Sequence, residues 1–266
     1  MKFIKFFLLV VTLSIPFWIL GAVAGGLTKS LPIKLPISAF MAVCPALAAL
    51  LLVAKENKLR GVQQLLKQVF DGKKVRNKRW YLLIILLMPA LTLLAYGLLR
   101  LAGSPLPIVH ISLLTVLLFC VVFFVGAIGE EIGWTGYALA PLQHRWGALD
   151  ASIVLGVVWA LWHIIPYAQA PQPLTWIVWQ CISTVLLRII MVWLYNHGGR
   201  SLLAMVLFHA SMNVSTFLFP AYGSHYNPLV GAGLLTLTIV VIAFFRKRNP
   251  AEAGWSAVQP KRQNGW

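Results

Sequence analysis

Apolar runs of ~20 residues, each bounded by charge, proline or glycine, recur along the whole chain, and a helix needs about that length to cross the hydrocarbon of a bilayer. Only a structure that satisfies its own backbone hydrogen bonds can occupy lipid, so these runs predict helices. Eight emerge, at 6–27, 37–54, 80–102, 111–140, 151–167, 174–195, 201–220 and 228–245. The expectation is an all-α, polytopic membrane protein of about eight transmembrane helices, forming a single transmembrane domain over residues 1–248. With 60% hydrophobic and 11% charged residues, a soluble enzyme surface is excluded. The fourth run is longer than a crossing needs and holds a polar stretch at 129–136, so it is expected to tilt or leave the bilayer before Pro141. Cys44, Cys120 and Cys181 lie inside apolar runs without metal-type spacing and read as small core residues. The tail 249–266 is polar, broken by proline and glycine, and receives no structural assignment.

Charge supplies the orientation. Lys+Arg number 22 against 6 Asp+Glu, a formal net charge of +16. The basic residues are scattered between apolar runs rather than gathered on one soluble face, which argues against nucleic acid as a partner and for membrane lipid. The densest basic cluster is the loop 55–79, expected to be cytoplasmic. Alternating from it puts Lys2 and Lys5, the His144-Arg145 turn, Arg200 and the Arg246-Lys247-Arg248 end on the same side, with both termini inside. Within that loop Leu59, Val62, Leu65, Leu66, Val69 and Phe70 recur at helical spacing, which suits a helix lying flat on an anionic leaflet; a plain charged connector is the alternative. The start of the chain imitates a signal peptide, with Lys2 and Lys5 before an apolar run and Ala22-Val23-Ala24 near its end. The run continues past that site to Leu27, and an uncleaved anchor is the preferred reading.

An ionisable side chain inside a bilayer is costly and is by default a functional candidate. Glu56, Asp71, Asp150 and Glu252 fall in loops or the tail, leaving Glu130 and Glu131 as the carboxylates within a span. Adjacent helical residues point ~100° apart, so one can face a cavity while the other serves a different partner. His163 lies on the fifth span; His209 and Asn213, four apart, share a face of the seventh. Counting rise per residue from the nearest cytoplasmic helix end puts Glu130 ~15 Å, His209 ~12 Å and His163 ~18 Å deep. Tilt absorbs such differences, so a polar site buried between the fourth, fifth and seventh helices is expected.

These residues resemble a family. Glu130-Glu131-Ile-Gly-Trp-Thr135-Gly-Tyr, Trp159-Ala-Leu-Trp-His163 and His209-Ala-Ser-Met-Asn213 look like the three motifs of the CAAX protease and bacteriocin-processing (CPBP, or Abi) family of intramembrane endopeptidases. The similarity covers about 125–217. It implies hydrolysis of a peptide bond in a membrane-associated or lipidated protein or peptide, with Glu130 activating water and His163, His209 and Asn213 around the same centre. Glu131, Arg188, Thr135 and Trp159 are then structural neighbours of the site. The family's first motif usually carries Arg where this chain has Thr135, which removes the usual partner of Glu131. Arg188, an otherwise unexplained charge in the sixth span at ~12 Å depth, is the substitute candidate; the alternative is that it snorkels to the headgroups. The cofactor stays open between none and one divalent metal, zinc first: His163 and His209 with Glu130 make an acceptable three-ligand set, but there is no His-Glu-x-x-His helix. Two rival functions remain, a catalytically inactive immunity or scaffold protein and a proton-coupled transporter, although no internal repeat supports the latter. Compact loops and the short amino terminus read as bacterial, with the plasma membrane as location. An uncleaved first span predicts that mass spectrometry of the mature protein finds residues 1–24 retained; a chain starting at Gly25 would contradict eight spans.

Overall fold

The structure is a computed structural model describing residues 2–24, 36–108, 112–170 and 172–248. Every regular element among the described residues is helical: α1 (Lys2–Val23), a 3-10 segment (Ile37–Val43), α2 (Cys44–Val69), a 3-10 turn (Gly72–Lys74), α3 (Arg79–Leu101), α4 (Leu113–Gly133), a π-helical turn (Trp134–Leu139), α5 (Ala140–Gln169), α6 (Leu174–His197), α7 (Leu202–Leu218) and α8 (Pro228–Arg248). Six stretches are long and apolar enough to cross a membrane; one of them, Leu113–Gln169, contains both α4 and α5, and α7 is a shorter apolar helix. The eight apolar helices therefore correspond to the eight runs read from the sequence. The end of the first run at Leu27, Gly25, the Ile111 start of the fourth run and the tail 249–266 lie outside the described residues.

Two runs differ from expectation in ways that matter for the site. The second opens as the 3-10 segment and becomes α-helical at Cys44, with Pro45 in the first turn. Proline is tolerated there because a first-turn N–H has no intrahelical acceptor anyway. α2 then runs beyond Ala54 to Val69, interrupted at Lys58 (φ 53°, ψ −156°). The basic segment is thus helical over 59–69 rather than a plain connector, and it turns Gly61, Leu65 and Val69 onto the bundle while Leu59, Leu66 and Phe70 stay exposed. The helix of the fourth run does not stop at Ala140. It widens into the π-helical turn three residues after Glu131, continues through Pro141, and breaks at Gly147 (φ 78°), where the left-handed backbone suits glycine. Cys120 faces outward from α4 and is exposed, so only Cys44 of the three cysteines is a buried core residue.

Lipid tails are as apolar as leucine, so helices in a membrane associate through close packing rather than hydrophobic burial. Gly129 and Gly133 stand one turn apart on α4, and each faces backbone: an added Cβ would fall 2.6 Å from the Ala42 carbonyl oxygen and 2.5 Å from that of Pro45. They let α4 lie directly on the 3-10 segment and the start of α2, with Glu130 and Glu131 held between them in sequence. Gly156 does the same for α5 against α6, where a Cβ would meet Val185 Cα at 2.9 Å and Arg188 Cβ at 3.2 Å. Trp162 of α5 donates from Nε1 to Ser14 Oγ of α1 at 2.8 Å, closing the bundle on the remaining side. Forcing a methyl group against backbone costs about 1–3 kcal/mol. Gly133→Ala is accordingly expected to lower the thermal midpoint of the detergent-solubilised protein, whereas Gly97→Ala, with nothing within 4 Å, is expected to leave it unchanged or raise it.

Candidate functional site

Glu130 and Glu131 occupy the last turn of α4 and, as adjacent helical residues must, diverge. Glu131 is fully buried and saturated. Arg188 of α6 donates from Nη1 to its Oε2 at 3.0 Å and from Nη2 to its Oε1 at 3.1 Å. The Thr135 hydroxyl, one turn on, also donates to Oε2, and His209 of α7 approaches Oε1 through Nδ1 at 2.9 Å. Glu131 thereby joins three helices. Arg188 is fully buried too, so it pairs with Glu131 instead of reaching for headgroups. Its guanidinium carbon lies 4.2 Å from the Trp159 ring centre, a cation–π contact, while its Nε has no hydrogen-bond partner among the described residues. A bidentate, hydrogen-bonded geometry is what offsets the several kcal/mol needed to take each ion out of water.

Glu130 faces the other way and is 6% exposed. Two indoles donate to the same oxygen, Oε2: Trp159 Nε1 at 2.6 Å and Trp134 Nε1 at 3.3 Å. Oε1 receives neither and instead lies 3.9 Å from His209 Nε2. The His209 ring is therefore strung between the two carboxylates. A carboxylate bridged to a guanidinium only accepts, so Nδ1 carries the proton given to Glu131 and Nε2 is the atom turned toward Glu130.

His163, half-buried on α5, is bonded through Nδ1 to the Trp159 carbonyl at 2.9 Å, which assigns its proton to Nδ1 and leaves Nε2 free. Its ring stacks on Tyr167 with centroids 5.6 Å apart and meets Trp162 edge-on at 4.7 Å. The Trp159 ring stands 5.7 Å from His163 and 5.2 Å from His209. Direct contacts thus unite Glu130, Glu131, Thr135, Trp159, Arg188 and His209, and His163 joins them through Trp159. Asn213 is half-buried one turn beyond His209 on α7, and its carboxamide has no hydrogen-bond partner among the described residues. The sequence reading missed Trp134 as a ligand of Glu130 and Tyr167 as the support of His163. Both stand four residues beyond the group they touch, a helical spacing that signals a shared face.

Among the described residues no group of three His, Cys, Asp or Glu side chains is placed to hold an ion.

Residues 111–215 match the family model described as type II CAAX prenyl endopeptidase Rce1-like. The chain is also similar to CAAX prenyl protease 2 of Methanococcus maripaludis, at 24% identity over 225 residues covering 77% of this chain and 80% of that protein. The matched segment contains all three motifs, and the resemblance read from them is borne out.

Removing one partner of a buried ion pair leaves an uncompensated charge, at a cost of about 3–5 kcal/mol. Arg188→Met is expected to destabilise the protein by that order, and Glu131→Gln combined with Arg188→Met to recover much of the loss, as read by thermal denaturation in detergent. A double variant no more stable than Arg188→Met alone would mean that the two groups are not coupled.

Proposed function

On the premise of an Rce1-like prenyl-endopeptidase core, we propose that this chain is an intramembrane endopeptidase that hydrolyses a peptide bond with water activated by Glu130. The observation that carries the reading is the asymmetry of Glu130. Two indole N–H groups fix Oε2, and Oε1 is left facing His209 Nε2 across 3.9 Å, a span suited to one shared water. Glu130 takes the proton as that water attacks the scissile carbonyl and delivers it to the departing amine. His209 holds the water in line, itself oriented by Glu131. The free carboxamide of Asn213, on the same face as His209, donates to the tetrahedral oxyanion. His163, whose Nδ1 proton is committed to the Trp159 carbonyl, offers Nε2 as an acceptor beside the same centre.

The named relative's specificity supports a prenylated, membrane-associated protein or peptide as substrate, which would reach the buried site from the bilayer. Thr135 in place of the usual motif Arg does not favour an inactive protein, because Arg188 supplies a guanidinium to Glu131 from another helix. For the location we propose a bacterial plasma membrane with both termini cytoplasmic. In support, Lys2 pairs with Glu56 at 2.7 Å, so the start of α1 and the basic segment share one end of the bundle.

Loss of a general base lowers turnover by roughly 10²–10⁴-fold, and loss of one oxyanion donor by roughly 10²–10³-fold. Glu130→Gln and Asn213→Ala are expected to fall by these amounts in cleavage of a prenylated peptide by the protein in proteoliposomes, with retained thermal stability. Unchanged cleavage by Glu130→Gln would refute the mechanism.

A further inference from the structure

At the basic end of the bundle, away from the glutamates, a cavity of about 650 Å³ opens between the α2–α3 loop and the α6–α7 turn. Lys73, Lys74 and Arg76 line it, together with Asp71, Trp80 and His197. The one carboxylate, Asp71, lies 4.0 Å from Lys74, and neither Lys73 nor Arg76 has an ion-pair partner among the described residues. The walls are fixed. Tyr81 donates to the Gly72 carbonyl at 3.0 Å, Ser201 donates to the Asp71 carbonyl at 3.2 Å, and Val75 is buried in the core. Gly199 (φ 93°) packs so tightly under the loop that a Cβ would meet the Lys74 carbonyl oxygen at 2.2 Å. His197 is bonded through Nδ1 to the Trp193 carbonyl at 2.8 Å, which leaves its Nε2 free.

A second, apolar groove of about 190 Å³ lies beside this cavity, lined by Leu149, Ile189, Trp193, Ile239 and Ile242 among others. Ile189, Trp193 and His197 recur every fourth residue, so one stripe of α6 runs from the groove to the cavity over ~12 Å. Trp193 forms the join. It lines the groove while packing on Trp80 at 5.5 Å and on His197 at 5.1 Å, both of which line the cavity.

A basic cavity set next to an apolar groove on one stripe of α6 matches a phosphate that carries acyl chains. We infer that this cleft binds an anionic glycerophospholipid, its headgroup among Lys73, Lys74 and Arg76 and a chain along α6 and α8. The site is separate from the glutamate centre and does not depend on the peptidase reading.

Native mass spectrometry of the full chain, exchanged in detergent against phosphatidylglycerol or phosphatidylcholine, tests it. The wild type is expected to retain phosphatidylglycerol about tenfold better than phosphatidylcholine, and Lys73→Gln with Arg76→Gln to erase that preference. Ala243→Trp, which fills the groove, is expected to reduce retention of both lipids. Lys55→Gln with Lys67→Gln, outside the cavity on the same basic segment, is expected to change nothing. The proposal fails if the wild type shows no preference, if the Lys55/Lys67 variant loses it equally, or if Ala243→Trp retains lipid as the wild type does. It fails also if millimolar inorganic phosphate displaces the bound lipid, since the cavity would then be a site for free phosphate.

Discussion

The buried pair of Glu131 and Arg188 is the interaction on which the rest of the site depends. Two fully desolvated charges are tolerated only because the guanidinium meets both carboxylate oxygens and Thr135 and His209 occupy the remaining acceptor capacity. Fixing Glu131 in this way fixes the His209 ring, and the ring's other nitrogen then faces Glu130. The two neighbouring glutamates therefore do different work. One is an anchor joining α4, α6 and α7, and the other keeps an oxygen available.

Backbone packing makes this geometry possible. Gly129 and Gly133 allow α4 to rest against backbone carbonyls, so the intervening glutamates cannot slide along or away from the bundle. Immediately beyond, the π-helical turn widens the helix, and Trp134 at its start donates its indole N–H to Glu130 one turn back. Trp159 then serves four neighbours: its N–H holds Glu130, its ring face meets Arg188, and its ring packs near both His163 and His209.

The helices and the convergence of polar groups were legible because lipid leaves so few options. A span must be apolar for about 20 residues, and any charge inside it demands a partner. That logic located Glu130 and Glu131 and picked out Arg188 as the substitute for the Arg missing at position 135. Local backbone events were less legible. The break at Lys58 carries no glycine, and α4 is joined to α5 ahead of Pro141 by a π-helical turn for which apolar periodicity gives no signal. The roles of Trp134 and Trp159 were partly hidden for another reason. Tryptophan is common in membrane helices, and only its N–H direction, set by the fold, separates packing from hydrogen bonding.

Glu131, held by Arg188, orients His209 toward Glu130. The ¹⁵N spectrum of histidine-labelled protein in lipid, with His209 assigned by substitution, tests it most directly. A proton on His209 Nδ1 is expected. An unprotonated Nδ1 with the proton on Nε2 alone would contradict it, because the ring would then not be donating to Glu131.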